Sequence, residues 1–250
     1  MENLSLLIDL HKHAKRQGPG GDAETRKALQ FCRVDPARPI KVADIGCGTG
    51  SSALLIANEL NASVTAVDLL DPFLDILKIR AEETGLSGRI TTLSCSMDHL
   101  PFEDEEFDIL WSEGAIYIIG FERGVREWKQ YLKPGGYLVV SEITWLTGTR
   151  PSELQKHWDH HYSEIDVASS KISVLENSGY SPAGYFTLPE YCWLDNYYNP
   201  MMKRFDAFLK RNGNSAEAKD IVESEVKEIE LYKKYSEYVG YGFYIARKHS

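Results

Sequence analysis

Cysteine is scarce in this sequence, and the four that occur stand far apart. Cys32, Cys47, Cys95 and Cys192 include no C-x-x-C pair, which removes the spacing expected of a structural zinc site or a disulfide framework. Free thiols are expected. Long apolar runs are missing too: none approaches the ~20 residues needed to cross a bilayer, so membrane insertion is not expected. The start, MENLSLLIDLHKHAKR, sets its apolar stretch beside Asp9 and lacks a small-residue cleavage site. It reads as an amphipathic helix rather than a signal peptide, and a cytoplasmic location is expected. A basic excess is likewise absent. Twenty-eight Lys and Arg face 37 Asp and Glu for a net charge of −9, and no basic stripe gathers along the chain. Such a surface repels a phosphate backbone, so nucleic acid is not an expected partner.

What is present suits a folded globular protein. At 250 residues with 43% hydrophobic side chains, the chain can build a continuous core. No repeat or low-complexity segment interrupts it. Leu4, Leu7 and Ile8 share a helical face, the Gln17-Gly18-Pro19-Gly20-Gly21 stretch breaks the chain, and a second helix is expected over residues 22 to 32. From Lys41 the pattern alternates: a strand in KVADI, a helix over 51 to 60, a strand in SVTAVD, a helix over 72 to 84, and a strand in RITTLSC. After a loop come a strand in FDILWS, a helix over 121 to 132 and a strand in YLVVSE. Strands separated by helices imply right-handed crossovers and a mostly parallel, doubly wound α/β sheet. Asp71-Pro72 reads as a helix cap followed by proline in the first turn, and Gly85 as the stop of the same helix.

Beyond residue 150 a helix carries Ile165, Ala168, Ile172 and Leu175 on one face. A strand at AGYFTL, two helices between about 200 and 237 and a last strand at YGFYIA follow. The segment from about 189 to 238 separates the last two strands by far more than an ordinary connection, and reads as a helical insertion or lid, or equally as an ordinary packed helical layer. One domain is expected, with a helical lead over 1–37, a ligand-binding core over 38–148 and a C-terminal half over 149–250.

Chemistry concentrates at Asp44-Ile45-Gly46-Cys47-Gly48-Thr49-Gly50, directly after the first strand and opening the first core helix. Glycine is required where the backbone turns with positive φ, or where a ligand packs on the main chain with no Cβ between them. At the carboxyl edge of a parallel sheet, such a loop and the N–H groups of the helix start form a nucleotide-sized notch. The next strand ends at Asp68, where a carboxylate can accept hydrogen bonds from both hydroxyls of a ribose. A glycine turn with an acid at this distance also fits nicotinamide dinucleotides. The spacing, however, is G-x-G-x-G, and Ser51 stands where the dinucleotide fingerprint G-x-G-x-x-G has its last glycine.

VADIGCGTG resembles motif I of the class I S-adenosylmethionine (SAM)-dependent methyltransferases, and TAVDLL resembles their ribose-binding strand end. SMDHLPF is similar to the family's loop after the third strand, FDILWS to its fourth strand, and LKPGGY to the turn before its fifth. The resemblance covers roughly residues 40 to 145 and is strongest to small-molecule methyltransferases of the quinone-biosynthesis-like type. It implies a Rossmann-like, seven-stranded sheet with N-terminal helices and a C-terminal helical insertion, SAM as cofactor and S-adenosylhomocysteine (SAH) as product. The cofactor-binding set it implies is Asp44, Gly46, Cys47, Gly48, Asp68 and Leu69 from the first two strand ends. Ser96, Met97, Asp98 and Ser112 join from the third and fourth. Asp98 is the acid expected to face the adenine amino group.

Around the methyl donor the candidates are Glu113, Tyr117 and His161. Glu113 can orient an acceptor or act as a base, and equally can make a structural hydrogen bond to a helix end. His157, His160 and His161 lie close together, but no companion ligand stands at metal spacing, and no metal is expected. Methyl transfer from a sulfonium needs alignment and exclusion of water more than an acid–base apparatus. The expected partner is a small-molecule acceptor, and a homodimer is left open. The rival readings are a non-catalytic SAM-binding or regulatory module and a nicotinamide-dependent oxidoreductase. The lead through Gly21, with Gly18 to Gly21 as its hinge, is expected to cover the site together with Tyr191, Trp193, Tyr197 and Tyr198.

Overall fold

Residues 2–249 are described by the structure, a computed structural model. Helices α1 (Glu2–His11) and α2 (Asp22–Phe31) lead into β1 (Ile40–Ile45), α3 (Ser51–Glu59), β2 (Ala62–Asp68), α4 (Asp71–Glu83) and β3 (Ile90–Ser94). Then come β4 (Phe107–Glu113), α5 (Phe121–Trp128), β5 (Leu132–Trp145), α6 (Ser152–His161), β6 (Asp166–Val167), α7 (Ala168–Asn177) and β7 (Tyr180–Thr187). Short helix α8 (Glu190–Trp193), a π-helical turn (Leu194–Tyr198), α9 (Asn199–Met202), α10 (Phe205–Arg211) and α11 (Ala216–Tyr235) precede β8 (Val239–Lys248).

The strands lie in the order β3-β2-β1-β4-β5-β8-β7. β1 to β5 run parallel, and β8 is inserted antiparallel between β5 and β7. The doubly wound expectation therefore holds, with one addition: the two-residue β6 pairs with β5 at Thr144 and Trp145. Alternation along β1 shows why helices cover both faces. Val42 joins the core under α2, α3 and α4, whereas Ala43 and Ile45 join the core under α5 and α7. A third core, built on Leu10, Trp193, Tyr198, Phe208 and Tyr232, caps the ends of β5 and β8 at Ile143, Trp145 and Val239.

Several boundaries move for local reasons. Asp71 sits inside the first turn of α4, with Leu70 in the capping position; there its charge meets the positive end of the helix. Helix α5 stops at Trp128 because Leu132 pairs with Phe107 at the start of β5. The Lys133-Pro134-Gly135-Gly136 turn is an irregularity carried within β5. Ile165 precedes β6 and α7 instead of opening a helix. The π-helical turn ends beside Pro200, whose missing N–H cannot close an ordinary helical bond back to Asn196. No helix among the described residues is long and apolar enough to cross a membrane.

Candidate active site

Between β1 and β4 the strand order reverses, so the connections after these two strands leave toward opposite faces and open a crevice at their carboxyl ends. Gly46 leaves β1 there with φ +74, and Gly48 follows with φ +54. A Cβ on Gly46 would overlap the Cβ of Ala115, and one on Gly48 would overlap Gln17 Oε1. The motif's glycines are thus required by backbone conformation and by close approach together. Asp68, ending β2, latches this loop: its carboxylate accepts from Gly48 N at 2.8 Å and from Leu70 N at 2.9 Å. Burial still pushes its carboxyl above the usual carboxylate range, against the pull of those bonds.

The crevice holds a cavity of about 360 Å³, a size suited to a nucleoside-sized ligand. Of the residues expected to bind cofactor, Gly46, Cys47, Gly48, Asp68, Leu69, Ser96 and Met97 line it, as do Glu113 and Tyr117 of the three expected around the methyl donor. Leu70 and Phe73 add apolar surface beside Leu69. The far wall is set by the core: Trp128 of α5 is fully buried and donates its indole N–H to Met97 O at 3.3 Å.

Asp44, Asp98, Ser112 and His161 are not among the lining residues. Asp44 is buried behind the loop, where Ser52 Oγ donates to it at 2.6 Å. There it steadies the start of α3, and burial pushes its carboxyl up to about 7. Asp98 is engaged at the rim, accepting from Arg123 Nη1 at 2.7 Å and Ser96 Oγ at 3.0 Å. Ser112 is fully buried within β4. His161 stacks on His157 at 4.2 Å on exposed α6, and its Nδ1 hydrogen-bonds His157 O.

Glu113 is surrounded by donors. Arg16 Nη1 lies 2.6 Å from one oxygen, and Thr25 Oγ1 and Trp111 Nε1 donate to the other at 2.7 and 3.0 Å. Arg16 is 8% exposed, also donates to Asp22 and Thr25, and is the one cation among the lining residues. Burial opposes its charge, but Glu113 and Asp22 more than compensate, so its basicity rises. Next to it, Gln17 Oε1 accepts from Thr49 N at 2.9 Å, fastening the lead onto the glycine loop. Gly18 and Pro19 line the cavity as well. The lead thus supplies two cavity-lining residues, Arg16 and Gln17, that sequence reading missed. The only signal was their place directly before the glycine-rich break.

The aromatic segment behaves differently from the lead. Trp193 and Tyr198 are buried within the third core, Tyr197 stacks against His11, and Tyr191 is exposed and donates to Glu24. None of the four lines the cofactor-sized cavity.

Residues 43–140, which hold the glycine loop, Asp68 and Glu113, match the family described as "Methyltransferase domain". An uncharacterized methyltransferase of Bacillus subtilis, YodH, is 27% identical over 99% of this chain and 98% of its own. Residues 43–140 are thus similar to a methyltransferase domain, and the likeness to YodH runs over nearly the whole chain. Another relative, the methyltransferase GfsG of Streptomyces halstedii, is 31% identical over 50% of this chain, but the match spans only 46% of GfsG. Among solved structures, a SAM-dependent methyltransferase from Geobacter sulfurreducens in complex with SAH superposes with a TM-score of 0.84. It covers 98% of this chain and 97% of that one at 19% identity. At that identity the likeness establishes the methyltransferase fold over both chains, insertion included.

Proposed function

We propose that this protein moves the methyl group of SAM to a small-molecule acceptor and releases SAH. The observation that carries the reading is one cavity on which the glycine loop, Asp68 and the Glu113–Tyr117 strand end converge. The residues present suit the cofactor. Gly46 and Gly48 leave space where a Cβ would intrude, Asp68 offers oxygens to ribose hydroxyls, and Leu69, Phe73 and Met97 offer apolar surface to a base. Arg16 offers a cation to an amino-acid carboxylate. When bound, SAM supplies an electrophilic methyl carbon on a sulfonium.

The chain's own part is to orient the reactants and exclude water, which can supply ~7 to 11 kcal/mol of barrier reduction in favourable cases. Glu113 is held by three donors, Arg16, Thr25 and Trp111. We assign it to holding Arg16 and the lead closed rather than to base catalysis. Tyr117, 42% exposed on the cavity wall, is placed to meet the acceptor, and a role for His161 falls on the acceptor side. We place the activity in the cytoplasm, without nucleic acid as partner.

Titration calorimetry tests the cofactor: SAM and SAH should bind with 1:1 stoichiometry, NAD and NADP not at all. Saturable NAD binding without SAM heat would end the proposal. Release of SAH against an acceptor panel then separates an enzyme from a non-catalytic SAM-binding module.

A further inference from the structure

Past Tyr117, away from the cofactor cavity, lies a group of aromatic and acidic side chains that the cofactor does not account for. Tyr117 meets the ring of Tyr162 edge-on at 5.9 Å. A Cβ on Gly114, itself on the cavity wall, would stand 3.7 Å from the ring of Tyr241. Tyr241 in turn packs on Trp193 at 5.2 Å, and Tyr198 and Tyr197 continue the surface to His11. Two carboxylates from opposite sides serve this surface. Glu142 comes from β5 and is wholly buried; it takes Lys171 at 3.2 Å and interacts with the Tyr162 hydroxyl. Glu228 comes from α11, and its hydrogen bond is from the Tyr198 hydroxyl at 2.9 Å. The fields of both carboxylates reach Tyr117 and Tyr241.

Polar atoms here are unusually idle. Trp158 Nε1, Trp193 Nε1, His11 Nδ1 and Arg204 Nη2 are buried without a hydrogen-bond partner among the described residues. Buried polar groups are ordinarily satisfied, so a cluster of unsatisfied ones marks a place for a polar guest. Charge indicates its sign. Lys171 is spent on Glu142, Glu225 faces His11 at 3.8 Å, and Glu228 forms no lysine or arginine ion pair among the described residues. Burial raises the Glu228 carboxyl, with Glu225 adding to the effect while His161 and His11 oppose it. At the Tyr117 and Tyr241 end an anionic guest would meet two carboxylates; the guanidinium of Arg204, which has no carboxylate partner among the described residues, acts on Tyr197 at the other end. A cationic one would meet aromatic faces and a carboxylate that lacks a counter-ion.

We propose that this group forms the acceptor subsite of the methyl transfer proposed above, on which the inference rests, and that it takes a small amine. The nitrogen enters unprotonated, and its lone pair bonds the methyl carbon as the C–S pair leaves with sulfur. The N-methylammonium product is the cation that Glu228 and the rings of Tyr117 and Tyr241 hold; from a primary or secondary amine it then sheds a proton to solvent.

The test uses protein saturated with SAH and two calorimetric probes of equal shape, choline and its neutral carbon analogue 3,3-dimethylbutan-1-ol. Choline should bind saturably and at least tenfold tighter than the alcohol. Glu228→Gln should erase most of that preference while its SAH affinity matches wild type, which also reports that the variant is folded. Tyr117→Leu, on the exposed rim, should weaken choline several-fold by removing one ring face. Equal binding of the two probes, no choline binding, or an undiminished preference in both variants overturns the amine assignment. Failure of SAH itself to bind would instead strike the methyltransferase reading.

Discussion

At the glycine loop, Gly48 reaches Asp68 twenty residues along the chain; at the lead, Arg16 reaches Glu113 across 97 residues, and Asn196 reaches Gly20 across 176. The first contact is a main-chain donor meeting a strand end that a parallel crossover must deliver. The other two rest on the Arg16 side chain meeting the Glu113 carboxylate and the Asn196 amide meeting the Gly20 carbonyl, and form only because the tertiary fold is complete. The cofactor cradle is therefore built from backbone geometry and tolerates no Cβ, whereas its cover is built from ion pairs and ring contacts whose partners can be exchanged singly. Damage to the cradle should abolish binding, and damage to the cover should loosen it.

The largest effect should come from Gly46→Val. A β-branched residue at φ +74 that also overlaps Ala115 should lower SAH affinity by ~100-fold or more, because strain at such positions costs ~1 to 3 kcal/mol before the lost contact is counted. Calorimetric affinity within a few-fold of wild type would show that the loop does not touch the ligand.

Asp68→Ala should weaken SAM more than tenfold, since it removes a charged acceptor worth ~1.5 to 3 kcal/mol. It also unlatches Gly48. Asp108→Ala is the matched control. That carboxylate holds Lys133 at 2.6 Å and Lys41 N at 3.0 Å at the opposite end of the sheet, so thermal stability should fall while SAM affinity stays. Equal affinity in wild type and Asp68→Ala would remove the ribose assignment.

For the cover, Arg16→Met should cost several-fold in SAH affinity and expose the Gly18 to Gly21 turn to protease even when ligand is present. Because it strands the Glu113 carboxylate, it should destabilise more than Arg16→Met combined with Glu113→Gln. Single and double variants that unfold at the same temperature would mean the pair is not coupled. In wild type, saturating SAH should protect that turn but leave cleavage at Lys133 to Gly136 unchanged.

The last effect is a slope with pH. Asp44 has its carboxyl raised from 3.8 to about 7 by burial, so the folded state holds that proton more tightly than the unfolded chain. The associated stability is fully present below about pH 4 and is lost as pH rises through 7. Relative to Asp44→Asn, wild type should lose on the order of 1 kcal/mol per pH unit at most across that window, the curves running parallel above it. Denaturant midpoints that track each other from pH 4 to 8 would refute this.

How far the sequence could be read follows from the same contrast. Glycine spacing, an acid at the next strand end and alternating strand and helix patterns are local properties, and from them came the sheet, the cradle and Glu113's place on the cavity wall. Arg16 and Gln17 carry no local mark of their partners. Asp98 was assigned from a loop pattern that says nothing of Arg123, which approaches from α5 to engage it. The dense aromatics of residues 191 to 198 read as the wall of a lid, but composition could not say that Trp193 and Tyr198 turn inward to a core of their own.

The position of β8 bears on how the molecule is made. β7 pairs only with β8, and about fifty residues of insertion separate the two. During synthesis at ~5 to 20 residues per second, β7 must therefore wait seconds for its neighbour with its hydrogen-bonding edge bare, while β1 to β5 can already zip together. Its Ser181-Pro182 step leaves β7 one amide donor short, which discourages pairing with another nascent chain until β8 slides between β5 and β7 and completes the sheet.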